Sequence, residues 1–172
     1  MTSVERPVEL RPATMADAER LLAWRNDPDT RRQSIHGDEV GRDDHLSWLT
    51  RTLQSPTCRL DIAMVDDNTI GTVRADRGED GIEISITVAP EHRGRRLAAP
   101  LIRAVATAAR RRWPDMPIIA RIKAGNDVSI RAFERAGFTP TGGDERGLLV
   151  WRWSEKAADP THAERSGVNV NR

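Results

Sequence analysis

The chain has 172 residues, enough for one domain with a sizeable core. Apolar residues make up 38% and charged residues 31%, and no run approaches the roughly 20 apolar residues of a membrane helix, which describes a soluble globular protein. The 27 basic and 26 acidic side chains are interspersed and nearly cancel, which argues against nucleic acid as a partner even though Lys123 and Lys156 are the only lysines.

In chain order, Val8 and Leu10 read as a short first strand ended by Arg11-Pro12. Thr14 is placed to cap a helix, with Asp17 offering first-turn acidity. That helix carries Met15, Ala18, Leu21, Leu22 and Trp24 and stops near Asn26-Asp27-Pro28; a second short helix spans Asp29 to Gln33. A third starts near Asp43, puts Leu46, Leu49 and Leu53 on one face, and ends at Ser55-Pro56. Leu60, Ile62 and Met64 alternate with polar or small residues as a strand, and Asp66-Asp67-Asn68 turns the chain into Ile70 to Arg74.

After a loop rich in Gly and Asp, Ile82, Ile84, Ile86 and Val88 alternate with Glu83, Ser85 and Thr87, a strand with two different faces. Ala89-Pro90 ends it. A long helix is expected from about Arg95 to Trp113, with Arg96 in ordinary helical conformation, Pro100 weakening its first turns, and Arg96, Arg103 and Arg110 forming a solvated stripe. Pro117 to Ile122 is the next strand and Val128 to Arg135 a helix closed by Gly137. Phe138–Thr141 and Leu148–Trp153 are the last strands. From residue 154 onward the chain is polar and aperiodic, so a disordered tail is expected over 154–172 and one domain over 1–153.

Cys58 stands alone, which excludes a disulfide framework, and His36, His92 and His162 lack clustered partners, so no metal is expected. The opening MTSVERPVEL has no signal-peptide character, and a reducing cytoplasm is the expected compartment.

The strand at Glu83, the glycine-bearing turn Arg93-Gly94-Arg95-Arg96-Leu97-Ala98 and the following helix bring several free backbone N–H groups together, an arrangement that suits a phosphate. This stretch resembles motif A of the GCN5-related N-acetyltransferases, with Arg96 where a second glycine is usual. Asn126-Asp127-Val128-Ser129-Ile130-Arg131-Ala132-Phe133, closed by Gly137-Phe138, resembles the same family's motif B. The resemblance covers Val8 to Trp153. It implies an α/β fold: a mixed, mostly antiparallel sheet flanked by helices, with a splayed strand pair for acetyl-CoA. It also implies that Val88, residues Arg93 to Ala98, Asn126, Ser129 and Phe133 hold acetyl-CoA.

Trp24-Arg25-Asn26-Asp27 and His45-Leu46-Ser47-Trp48-Leu49 look like the acceptor region of the branch that acetylates UDP-linked 4-amino-dideoxy sugars. That branch shades into protein Nα- and polyamine acetyltransferases. On this reading Arg25 holds a diphosphate, His45 hydrogen-bonds a phosphate or ribose, and Trp48 stacks on a base, so a small anionic amine is the expected acceptor. The alternative for the tryptophans is core anchoring, and for Arg25 capping of its own helix. A protein N-terminus, another small amine, or a catalytically silent acyl-CoA-binding module are the alternative functions.

Acetyl transfer needs a deprotonated amine, a stabilised oxyanion and a protonated leaving thiolate. Glu83 is the expected base, directly or through water, and the Val88 amide the oxyanion donor that the resemblance implies. The family often has Tyr where Phe133 stands, and the chain has no tyrosine. Water or Ser129 is left to supply the proton. A monomer or homodimer is expected, with Trp151 and Trp153 as a conceivable dimer edge.

Overall fold

The computed structural model describes residues 7–154. Seven strands form one sheet in the order β1-β2-β3-β4-β5-β7-β6, and five α-helices pack on its two faces. The strands are β1 (Glu9–Pro12), β2 (Cys58–Val65), β3 (Asn68–Arg77), β4 (Ile82–Val88), β5 (Ile118–Lys123), β6 (Phe138–Gly143) and β7 (Leu148–Trp153). The helices are α1 (Ala18–Asn26), α2 (Pro28–Gln33), α3 (Arg42–Gln54), α4 (Ala98–Arg112) and α5 (Asp127–Arg135). All neighbouring strands run antiparallel except β4 and β5, which are parallel. The expected mixed α/β sheet is therefore what forms. The expected tail from residue 155 lies outside the described residues.

Alternation along the strands divides the core in two. Ile82 and Ile84 of β4, Val73 and Ala75 of β3 and Ile118, Ala120 and Ile122 of β5 share a core with α4, whose Leu101, Ile102, Val105, Ala106 and Ala109 are buried. Each fully buried Leu, Ile or Val in this layer contributes about 2 kcal/mol. On the opposite face Leu60 and Ile62 of β2 pack with Leu21, Trp24 and Leu49 of α1 and α3. The two-residue turn between β2 and β3 is made possible by left-handed φ at both Asp66 and Asp67.

Two expectations need correction. The long helix starts at Ala98, not near Arg95, because Arg96 has φ +60 and lies outside it; Arg96 therefore shares no helical stripe with Arg103 and Arg110. Pro100 then falls in the first turn, where its missing N–H costs no hydrogen bond, so it does not weaken the helix. Trp151 and Trp153 are buried, and β6 covers β7, so these rings belong to the core rather than to a sheet edge. The Trp153 indole donates to the Ala136 carbonyl at 3.1 Å.

Candidate active site

The parallel pair β4–β5 is joined only at Ile82 with Ile118 and at Glu83 with Ile119. Beyond that point the two strands diverge. The Ile82 amide donates toward the β5 side, to Pro117 O at 2.8 Å, whereas the Ala89 amide donates to Ile70 O of the β3 side at 2.9 Å. Strand alternation therefore turns the Ile86 and Val88 amides toward the gap, where no strand lies opposite. A V-shaped opening edged by strand amides is suited to an extended, amide-containing chain that adds to β4 as a strand would.

At the wide end of the V the chain passes through Gly94 (φ +74) and Arg96 (φ +60) before α4 begins. Left-handed residues alternating with ordinary ones turn consecutive N–H groups to one concave side, a cradle for an anion at the start of a 15-residue helix. Nothing lies within 4 Å of where a Gly94 Cβ would be. This loop, the open strand edge and the start of α5 fit a diphosphate-bearing pantetheine such as that of acetyl-CoA. On the α5 side Asn126 is buried as N-cap, its Oδ1 accepting the Ser129 amide at 3.2 Å. The Ser129 hydroxyl is half-exposed.

The face of β4 that bears Glu83, Ser85 and Thr87 carries the polar groups. Glu83 Oε2 is 2.6 Å from Arg121 Nη1 of β5. The same guanidinium meets Asp80 at 2.9 Å through Nη2 and Asp144 at 3.3 Å through Nε. Glu83 stands where the strands still pair, and Val88 lies five residues further, about 17 Å along the strand. A glutamate side chain plus one water does not span that distance; the Ile86 amide, on the same edge, is about 7 Å nearer.

The structure separates the residues expected to hold the acceptor. His45 is 3% exposed, with Nε2 2.9 Å from the Ala18 carbonyl, and burial lowers its pKa. It is an internal strut between α3 and α1, not a ligand contact. Trp24 is buried core. Trp48 is half-buried against His45, with the Arg74 guanidinium 5.4 Å over its ring, so that face is closed to a nucleobase. Arg25 Nη2 donates to the His36 carbonyl at 2.5 Å and so ties down the loop after α2; its Nη1 is buried without a partner among the described residues.

Two expected acetyl-CoA contacts also change. The Arg93 side chain turns to α2, reaching Asp27 Oδ1 at 2.6 Å and Thr30 Oγ1 at 2.7 Å. Phe133 is 5% exposed and sits edge-on to Phe138 in the core, so its ring is packed inside rather than presented to a ligand. In place of the missed contacts, the same side of the sheet holds a cavity of 390 Å³ lined by Ile35, Lys123, Ala124, Arg146, Gly147 and Leu148. Strand alternation on β5 puts Lys123 on the Arg121 side, a signal readable in the sequence; the β6–β7 turn that supplies Arg146 gave none. No group of three or more potential metal ligands occurs among the described residues, and no helix there is long and apolar enough to cross a membrane.

A mixed sheet with a splayed parallel pair, leading into an anion-binding turn and helix, defines a fold for coenzyme A thioesters. The sequence model of the family described as acetyltransferase (GNAT) domain matches residues 8–139. The chain belongs to this family, the acetyl-CoA-dependent N-acetyltransferases of GNAT type. Among solved structures, aminoglycoside acetyltransferase AAC(6')-Ib with paromomycin and acetyl-CoA is 22% identical, with a TM-score of 0.78 over 92% of this chain and 99% of that one. Spermidine N-acetyltransferase from Vibrio cholerae, with CoA and spermine, is 18% identical, with a TM-score of 0.72 over 84% and 92%. The GNAT domain of S. lividans PAT is 24% identical, with a TM-score of 0.69 over 85% and 89%. No curated protein sequence matches the chain.

Proposed function

We propose that this N-acetyltransferase acts on the primary amine of a small anionic acceptor, with an amino sugar carried on a nucleoside diphosphate as the class that fits best. The observation that carries this reading is the 390 Å³ cavity beside the splay, whose two charged lining residues, Lys123 and Arg146, are both cations, with Ile35 and Leu148 as apolar wall. Lysine and arginine together suit a diphosphate. Arg25, with its spare Nη1, is the third candidate; His45 and Trp48 are withdrawn from contact by burial and by Arg74.

Acetyl-CoA supplies the thioester. The amides of residues 94–98 hold its diphosphate, and the Val88 amide pairs with the pantetheine arm. The Ile86 amide, nearer the base, takes the developing oxyanion, in preference to Val88. Glu83 accepts the proton of the attacking ammonium through a water. The departing sulfur is a thiolate of pKa roughly 8.5, so it leaves without a strong acid; water or the Ser129 hydroxyl provides its proton, since Phe133 cannot.

A second reading has a specific observation in its favour. Asp80, Glu83 and Asp144 outnumber the guanidinium of Arg121 that they surround, which suits a polycationic amine such as the aminoglycosides and spermine bound by the solved relatives. Thiol release from acetyl-CoA against a UDP-linked 4-amino-4,6-dideoxy sugar, spermidine, kanamycin and a Ser-starting peptide, with a no-acceptor control, separates the two. Turnover of the sugar nucleotide, lost in K123A and R146A through acceptor KM, is the expected result. Turnover of spermidine or kanamycin alone overturns the anionic reading and leaves the acetyltransferase intact.

A further inference from the structure

We propose that Arg121 is a positioning residue for acetyl transfer: it holds the Glu83 carboxylate at the apex of the splay and is itself locked by the hairpin that walls the acceptor cavity. This rests on Glu83 as the base. The argument starts from register. Glu83 is the last β4 residue paired with β5, opposite Ile119, and Arg121 is the first residue beyond that pair whose side chain lies on the same face. Its guanidinium therefore leans back across the point where the strands part. There it meets carboxylates from three separate segments: Asp80 before β4, Glu83 within it, and Asp144 of the β6–β7 turn.

The exposures decide which partner is held by which. Arg121 is only 14% exposed, against 35% for Glu83 and 77% for Asp80. Asp144 is fixed in turn, because its Oδ1 accepts the Arg146 and Leu148 amides, each at 2.9 Å. The chain of contacts thus runs from the turn backbone through Asp144 and Arg121 to Glu83, its Asp144–Arg121 link being an ion pair at 3.3 Å without a hydrogen bond. The Arg121 hydrogen bond goes to Oε2, and no hydrogen bond to Glu83 Oε1 is found among the described residues, which leaves one oxygen to work. An unsupported glutamate on a strand has three free torsions, and small misplacements of a base lower rate rather than binding. Without the cation, Asp80, Glu83 and Asp144 also repel one another.

The test uses the full chain, acetyl-CoA varied up to saturation, and the UDP-linked 4-amino-4,6-dideoxy sugar, spermidine or kanamycin, whichever the wild type turns over. R121Q is expected to lower kcat about 10- to 100-fold while the KM for acetyl-CoA stays within twofold. E83Q lowers kcat at least about 100-fold, and the double variant is no worse than E83Q alone, since both act on one group. R121K, which keeps the charge and stem, regains most of the rate. Full additivity in the double variant, or a loss in KM for acetyl-CoA instead of kcat, or no recovery in R121K, would each overturn the role of Arg121 while Glu83 stands. Wild-type kcat in E83Q would remove the base itself. Should R121Q fail to fold, as judged by its melting curve, R121M, which keeps the apolar stem without the charge, takes its place alone and combined with E83Q, with the same loss of kcat and the same non-additivity expected.

Discussion

The Arg93 guanidinium stands 2.6 Å from Asp27 Oδ1, so the arginine that opens the phosphate turn is anchored on the acceptor-side helix α2. Asp27 serves two structures at once. Its Oδ1 also accepts the Asp29 and Thr30 amides at 3.1 and 3.0 Å, capping α2. The Arg93 contact first, and the Thr30 amide after it, hold its pKa below the ordinary carboxylate value. At the far end of α2 the Arg32 carbonyl lies 3.4 Å from Lys123 Nζ of β5. The short helix therefore links the turn after β4 to the end of β5.

Separating cap from ion pair gives the first prediction. D27A loses both and should cost about 1–2 kcal/mol, since a cap is worth about 1 and a partly exposed pair less. That corresponds to a fall in Tm of roughly 3–6 °C. D27N keeps a capping oxygen, so it should lose less stability yet raise the KM for acetyl-CoA as much as D27A does. Equal Tm losses in the two variants would show that the cap contributes nothing.

Gly71 is the second test position. It faces Val88 in the β3–β4 register, and a Cβ there would lie 2.3 Å from the Thr87 carbonyl and 3.1 Å from Leu101 Cδ2. The neighbour is strand backbone, so it cannot step aside. G71A should cost about 2 kcal/mol and push the Thr87–Val88 backbone into the splay, lowering kcat and raising the KM for acetyl-CoA together. A G71A protein that melts within a degree of wild type, with unchanged kinetics, would mean that β3 yields without moving the site.

The contrast between these positions explains what could be read in the sequence. Strand alternation at 82–88, the Asn126 cap and Gly137 act through neighbours in the chain, so the sheet, the order of elements and the two motifs were legible. His45 was not, because its partner, the Ala18 carbonyl, is 27 residues away and only packing reveals that the ring faces inward. Arg25 and Arg93 are residue types that suit phosphate, but a long side chain takes the nearest acceptor, and α2 with its loop supplies those. Arg121 escaped notice because its three carboxylates come from segments brought together only when β5, β7 and the turn before β4 assemble.

Arg96 was misread for a different reason. A non-glycine residue with positive φ leaves no compositional trace, and the position reads equally well as a first helical turn. The left-handed conformation costs a side-chain-bearing residue about 1–2 kcal/mol, part of which glycine would return through its greater freedom in the unfolded chain. R96G should therefore raise Tm by about 1–3 °C. Unchanged affinity for acetyl-CoA, measured by calorimetry, would assign Arg96 a backbone role alone; a severalfold loss would show that its guanidinium reaches the phosphates. A lower Tm would contradict the left-handed geometry.

Asp17 supplies a prediction in pH. Arg11 holds it bidentately, at 2.7 and 2.9 Å, and the Thr14 amide donates to it at 2.9 Å. Chiefly through the Arg11 hydrogen bonds, its pKa falls from 3.8 to about 2. A depressed carboxylate pKa means that the unfolded chain binds the proton more readily, so the stabilisation is complete above pH 3.8 and is lost as pH falls toward 2. The shift corresponds to at most about 2.5 kcal/mol. The 39% exposure of the Arg11 side chain reduces this, since water screens the pair, to about 1–2 kcal/mol. D17N should accordingly be less stable than wild type by that amount at pH 7 in urea unfolding, and the difference should close between pH 4 and 2. A constant difference across that window would mean that Asp17 stabilises the start of α1 by shape and hydrogen bonding rather than by its charge.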